Sequence, residues 1–217
     1  MMDSKDRALM MGHKFQMLDS EFHLSAAEIK KLLNANLSAR DAALVRALAE
    51  TGIRRFELAN LETRDLDLAN HLLTVRHGKG NKSRQVPITA ELLNRLNTIL
   101  SLGFGVPIFR GRNGGRLSLR QINRIVAKAA RKAGLKSPNP RYRNVGCHLL
   151  RHSFARLWKS RNGSIESLSK ILGHSSVKTT WDLYGTESLA DVQANYRKIM
   201  SRPLIDSTNP KIRGNGF

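Results

Sequence analysis

The chain has 217 residues, room for one well-buried core, and carries a formal charge of +20. Its single cysteine, Cys147, excludes an internal disulfide and any cysteine-based zinc site, and it has no apolar run of about 18 residues that would cross a membrane. The charge is also one-sided: from Leu92 to Ile165, 74 residues hold 16 Lys or Arg and no Asp or Glu. Such a block repels itself unless an anion neutralises it, and a nucleic-acid backbone is the anion of matching size. A solvated basic face is the plainer alternative. An anionic membrane is the third, weakened by the want of an amphipathic basic helix with aromatic anchors.

In chain order, residues 1–22 show no apolar period and no signal-peptide core, so they read as a tail or linker remnant and the protein as intracellular. Ser25 with Glu28 three residues on is a capping-box pattern, and Ile29, Leu32 and Leu33 follow at helical spacing, which predicts a helix to about residue 35. A second helix is predicted over 39–50, ended by Thr51 and Gly52, and a short third over 54–61. The period then changes to two: Leu66 and Leu68, Leu73 and Val75, Val86 and Ile88 alternate as strands do, with HGKGNKSR as a hairpin tip. These predict a small three-stranded antiparallel sheet.

Thr89 caps a predicted helix over 90–100. After a glycine-rich turn over 111–115, Ser118 opens a basic helix to about residue 133, with Ile122, Ile125 and Val126 as its apolar stripe. Arg120, Arg124, Lys128 and Arg131 take its other faces and are candidate phosphate contacts, as are Lys82 and Arg84 beside the hairpin tip. A solvated face gives the same pattern. Residues 136–144 read as a loop, and helices are predicted over 147–159, 165–172 and 177–184. A last amphipathic helix over 187–200, carrying Leu189, Val192, Tyr196 and Ile199, packs on its own core or on a neighbouring protomer, and a polar tail follows from 201 to 217. One domain over 23–200 is therefore expected, mainly α with the small sheet.

The residue types suited to chemistry gather in GCHLLRHSFA, LGHSS and TTWDLYG. His148 and Arg151 share a helix face, pairing a group that exchanges protons near neutral pH with a planar fork suited to two phosphate oxygens. His148, His152 and His174 could instead ligate a metal, but no carboxylate of the basic block would complete or orient that site. Arg54, in TGIRRFELANL, could be an ordinary ion-pair partner of Glu57; Lys79 could be a solvated lysine in a turn; Tyr184 could be core.

Taken together and in order, TGIRR, GKGNKSRQVPI, HLLRHSFA, LGHSSVKTT and a following tyrosine resemble the catalytic domain of the tyrosine recombinases, the phage integrase family. The resemblance covers about residues 24–196 and implies a site-specific DNA recombinase. It makes Arg54 and Arg151 the stabilisers of the phosphorane's charge, Tyr184 the nucleophile, and His148 its proton acceptor. His174 would donate to the phosphate, and Lys79 would protonate the leaving 5′-oxygen. It further implies double-stranded DNA as partner, a homotetramer on that DNA, no metal or other cofactor, and a cytoplasmic, nucleoid-associated place of work.

Two features depart from the family pattern. Ten residues separate His174 from Tyr184, one more than in many relatives, and one residue turns a helical position by about 100°. Only a short segment precedes the catalytic part, where many relatives carry a DNA-clamping domain, so an excised catalytic domain or a minimal recombinase is expected. A non-catalytic DNA-binding descendant and a type IB topoisomerase or telomere resolvase are the rival readings.

Overall fold

The computed structural model describes residues 22–76, 83–100, 103, 105–174, 176–185 and 193. The capping box forms as predicted: Ser25 Oγ accepts from Glu28 N at 3.3 Å while Glu28 takes Ser25 N at 2.8 Å, and this starts helix α1, Ala26–Leu33. Helix α2, Ala39–Thr51, begins at Ser38, whose hydroxyl accepts from Asp41 N, and ends at Gly52 in the left-handed conformation, φ 62°. Its alanines matter for packing, because Ala43 and Ala47 let neighbouring elements approach closely while Leu44 and Leu48 are fully buried.

Helix α3, Arg55–Ala59, is shorter than the sequence suggests, since Asn60 closes it and a 3₁₀ turn, Thr63–Asp65, follows. Strands β1 (Leu66–Asp67), β2 (Leu72–Val75) and β3 (Arg84–Pro87) form the antiparallel sheet in the order β1-β2-β3, with Leu73 opposite Val86. Leu68 was expected in β1 but lies outside it, half exposed. The reason is local: the Asp67 carboxylate accepts from Asn70 N at 3.0 Å and Asn70 Nδ2 at 2.8 Å, which folds the chain into a turn before the strand can continue.

Helix α4, Ala90–Asn97, is capped by Thr89 and also stops short of its predicted end; α5, Leu119–Lys132, is capped by Ser118 with Gln121 as reciprocal partner. Helices α6 (Cys147–Ser160), α7 (Ile165–Leu172) and α8 (Val177–Tyr184) match their predicted spans closely. The hairpin tip over 77–82 and nearly all of the predicted helix over 187–200 lie outside the described residues. Among the described residues no helix is long and apolar enough to cross a membrane.

The main core joins α1 to α6 and the sheet through Leu32, Leu44, Leu48, Leu58, Leu73, Val86, Leu92, Ile122 and Leu150. Each such leucine removed from water stabilises the fold by about 1.5 to 3 kcal/mol. A second cluster, Ala155, Leu168, Leu172, Leu183 and Tyr184 with Phe154 and Trp158 against it, fastens α7 and α8 to the far side of α6. Helix α6 thus stands between the two clusters, and the residues over 148–152 come to lie where α2, α7 and α8 meet it.

Candidate active site

A carboxylate organises the entrance to this junction. Glu57, on α3, is buried and accepts both terminal nitrogens of Arg84 at 2.8 Å, together with Arg54 Nη1 at 3.2 Å and the Arg54 backbone N–H at 2.7 Å. Burial alone would raise its carboxyl, but the Arg84 fork and Arg54 outweigh that and hold it below the usual carboxylate range. Arg84 also donates from Nε to the Ile171 carbonyl at 2.7 Å. The sequence suggested Arg84 as a phosphate contact; the structure turns it inward, because the buried carboxylate and the last turn of α7 use its fork.

Arg54 and Arg151 meet on one oxygen. The Leu172 carbonyl accepts Arg54 Nη1 at 3.3 Å and Arg151 Nη2 at 2.9 Å, and Arg151 Nη1 donates to the Gly52 carbonyl at 2.6 Å. Both carbonyls are free for this because α2 and α7 end in left-handed glycines, Gly52 and Gly173, whose turns expose the final oxygens of each helix. Burial, reinforced by the neighbouring Arg54, pulls the Arg151 guanidinium down to about 9, and Glu57 and Tyr184 oppose this. It stays a cation at neutral pH.

Arg151 Nη2 lies 3.0 Å from His174 Nε2. A guanidinium only donates, so Nε2 accepts and the His174 ring proton sits on Nδ1, from which it reaches Thr180 Oγ1 at 2.7 Å. The sequence did not single out Thr180. It stands four residues before Tyr184 on α8, so the same helix face orients His174 and carries the tyrosine.

Tyr184 is 2% exposed, and its hydroxyl lies 2.6 Å from His152 Nδ1. Burial pushes the phenol up to about 12, with Arg151 and Arg156 working in the other direction. The extra residue between His174 and Tyr184 has therefore not turned the tyrosine away from α6. His148 is exposed, and its ring meets the edge of His152 with centroids 4.4 Å apart. Among the described residues no group of three His, Cys, Asp or Glu side chains is placed to hold a metal ion.

Arg54, His148, Arg151, His174 and Tyr184 all line one open cleft of about 1310 Å³. Arg120, Arg124 and Arg131 of α5 line it too, as do Arg141 and Arg143, and among the described residues no carboxylate is in its lining. Lys128 is exposed on α5 but outside this lining, and Lys79 and Lys82 lie outside the described residues. Sequence reasoning passed over Glu57 as a hub and left His152 as support for the site or as an alternative metal ligand. The one available signal for Glu57 was a lone acid three residues after Arg54, which an ordinary ion pair gives equally well.

The model of the phage integrase family matches residues 23–189. Among curated proteins the chain is similar to tyrosine recombinase XerA of Pyrococcus furiosus, 35% identical over 164 residues that make up 72% of this chain and 54% of that protein. It is 37% identical to tyrosine recombinase XerC of Chromobacterium violaceum over 67% of this chain and 48% of the relative. The chain spans about half the length of these curated relatives. The crystal structure of XerA recombinase superposes with a TM-score of 0.67 at 31% identity, covering 83% of this chain and 66% of that one. A XerH site-specific recombinase bound to its difH substrate, in a pre-cleavage complex, gives 0.66 at 26% identity over 81% of this chain and 53% of its own. The architecture is that of the tyrosine recombinase catalytic domain.

Proposed function

This chain belongs to the phage integrase family, and on that premise we propose that it cleaves and rejoins DNA strands at specific sites, with Tyr184 as the attacking group. The observation that carries this reading is the meeting of Arg54, Arg151, His174 and the Tyr184 hydroxyl, brought by four separate segments, in one cleft lined by further arginines.

Attack of the phenol oxygen on a backbone phosphate forms the phosphotyrosyl bond and breaks the bond to the 5′-oxygen. The phosphorane carries its negative charge on the non-bridging oxygens, where the remaining N–H donors of Arg54 and Arg151 stabilise it; His174 joins them once Arg151 Nη2 turns from its Nε2 to the phosphate and the ring proton moves to Nε2, with the Thr180 hydroxyl then donating to Nδ1. Losing one such donor costs about 10² to 10³ in rate. Lys79 protonates the leaving 5′-oxygen, a contribution of about 10² to 10⁴. One phosphodiester becomes another, so rejoining needs neither ATP nor a metal ion. Arg120, Arg124 and Arg131 hold the duplex backbone, and Lys128 and Lys82 extend that contact. Four copies of the chain on paired double-stranded sites complete the exchange, at DNA in the cytoplasm.

The test is a nicked substrate that traps the cleaved state. The wild-type chain gives a protein–DNA adduct that survives denaturation, with a free 5′-hydroxyl, in the presence of a chelator; Tyr184→Phe gives none. An adduct that persists in Tyr184→Phe refutes the reading.

A further inference from the structure

Helix α6 sets His148, Arg151 and His152 on adjoining positions, and of the two histidines only His152 turns inward: it is 4% exposed, against an exposed His148. The described hydrogen bond of the Tyr184 hydroxyl goes to His152 Nδ1, at 2.6 Å. His152 stands between the other two rings, its centroid 4.4 Å from that of His148 and 5.9 Å from that of Tyr184. The histidine to which family resemblance gives the role of proton acceptor is thus one ring removed from the phenol.

We propose that His152 is a catalytic residue, the group that takes the proton of the Tyr184 hydroxyl as the phenol oxygen attacks the phosphate. The inference rests on the reading of Tyr184 as nucleophile and deepens it. Neutral His152 carries its ring proton on Nε2 and accepts the Tyr184 O–H at Nδ1. As the Oη–P bond forms and the bond to the leaving oxygen breaks, the phenol proton passes to Nδ1, and the leaving oxygen takes its own proton from a different donor. The phenol needs a partner of this kind. Burial disfavours its ionised form, and an imidazole in hydrogen-bond contact has an ordinary pKa of about 6.5, suited to accepting a proton at neutral pH. The charged and titratable groups around the pair are His148 on the same helix, Arg151, and Arg156, whose Cζ lies 6.0 Å from the centre of the Tyr184 ring. The two arginines favour the phenolate, and the anionic phosphate offsets the imidazolium that results.

The measurement is single-turnover adduct formation on the nicked substrate, with DNA affinity followed in parallel. His152→Asn places an amide near Nδ1 that keeps a hydrogen bond to the phenol but takes up no proton; His152→Gln is the second variant if Asn impairs folding. The expected result is a DNA Kd within about twofold of wild type and a cleavage rate lower by about 10² or more. The second readout is a substrate with sulfur in place of the bridging 5′-oxygen, whose thiolate leaves without a proton. A variant defective in protonating the leaving group recovers on it, whereas the His152 variant stays slow. Wild-type rates in His152→Asn, or full recovery on the sulfur substrate, overturn the proposal while leaving Tyr184 as nucleophile. Failure of the wild-type chain to form an adduct at Tyr184 would instead remove the reading beneath it.

Discussion

Replacing Glu57 by Gln tests the organisation of the site most directly. The carboxylate is buried and takes two parallel hydrogen bonds of 2.8 Å from Arg84, whose side chain is itself largely buried. Gln can accept from one of these nitrogens but turns an amide N–H toward the other, and a cation is left in the interior without its counter-charge. Breaking a buried pair in this way costs about 3 to 5 kcal/mol. The bond from Arg54 adds little, at most about 1 kcal/mol, because that guanidinium is partly exposed and screened. For a chain of this length the melting temperature should fall by about 6 to 20 °C.

The pH dependence of that loss has a definite sign. In the folded chain the carboxyl sits below its ordinary value, so its stabilisation is complete above the normal carboxylate range and disappears as pH falls through the lowered value. The gap between wild type and Glu57→Gln in denaturant unfolding should therefore be full at pH 7 and narrow in acid. A difference under about 1 kcal/mol at pH 7, or one that does not change with pH, would refute the assignment of Glu57 as an ionised hub.

Two further outcomes are expected. Gly52→Ala forces a side chain into the left-handed region, φ 62°, with its Cβ 2.6 Å from Phe154 Cδ1, so denaturant unfolding should show a loss of about 2 to 5 kcal/mol. Cys147 is buried, with Sγ 3.0 Å from Asn123 Oδ1, and burial pushes its thiol up to about 12; at pH 8 iodoacetamide should leave it unmodified in the folded chain and label it once denaturant is added, as read by mass spectrometry.

What could be read from the residues was whatever depends on near neighbours. Ser25 with Glu28, Thr89 and Ser118 announce helix starts because a cap acts over three residues, and the alternation of Leu73, Val75 and Val86 marks strands because a sheet face has period two. Leu68 was misplaced because Asp67 bonds to Asn70 more favourably than the backbone extends the strand. At the site, Arg54, His148, Arg151, His174 and Tyr184 could be proposed only through their order along the chain, which matches a family. Their partners could not. That Glu57 would draw Arg84 inward across 27 positions, or that Tyr184 would meet His152 rather than His148, depends on how α6 is rotated between its two clusters, and no local pattern encodes that rotation.

The Leu172 carbonyl has a consequence for how this protein can change over time. Two guanidiniums are spaced by a main-chain oxygen, which every residue at position 172 supplies alike. Their separation is thus insulated from point mutation at that position, and a drift of the last turn of α7 moves both together. Any event that shifts that helix end acts on both arginines as a single lever.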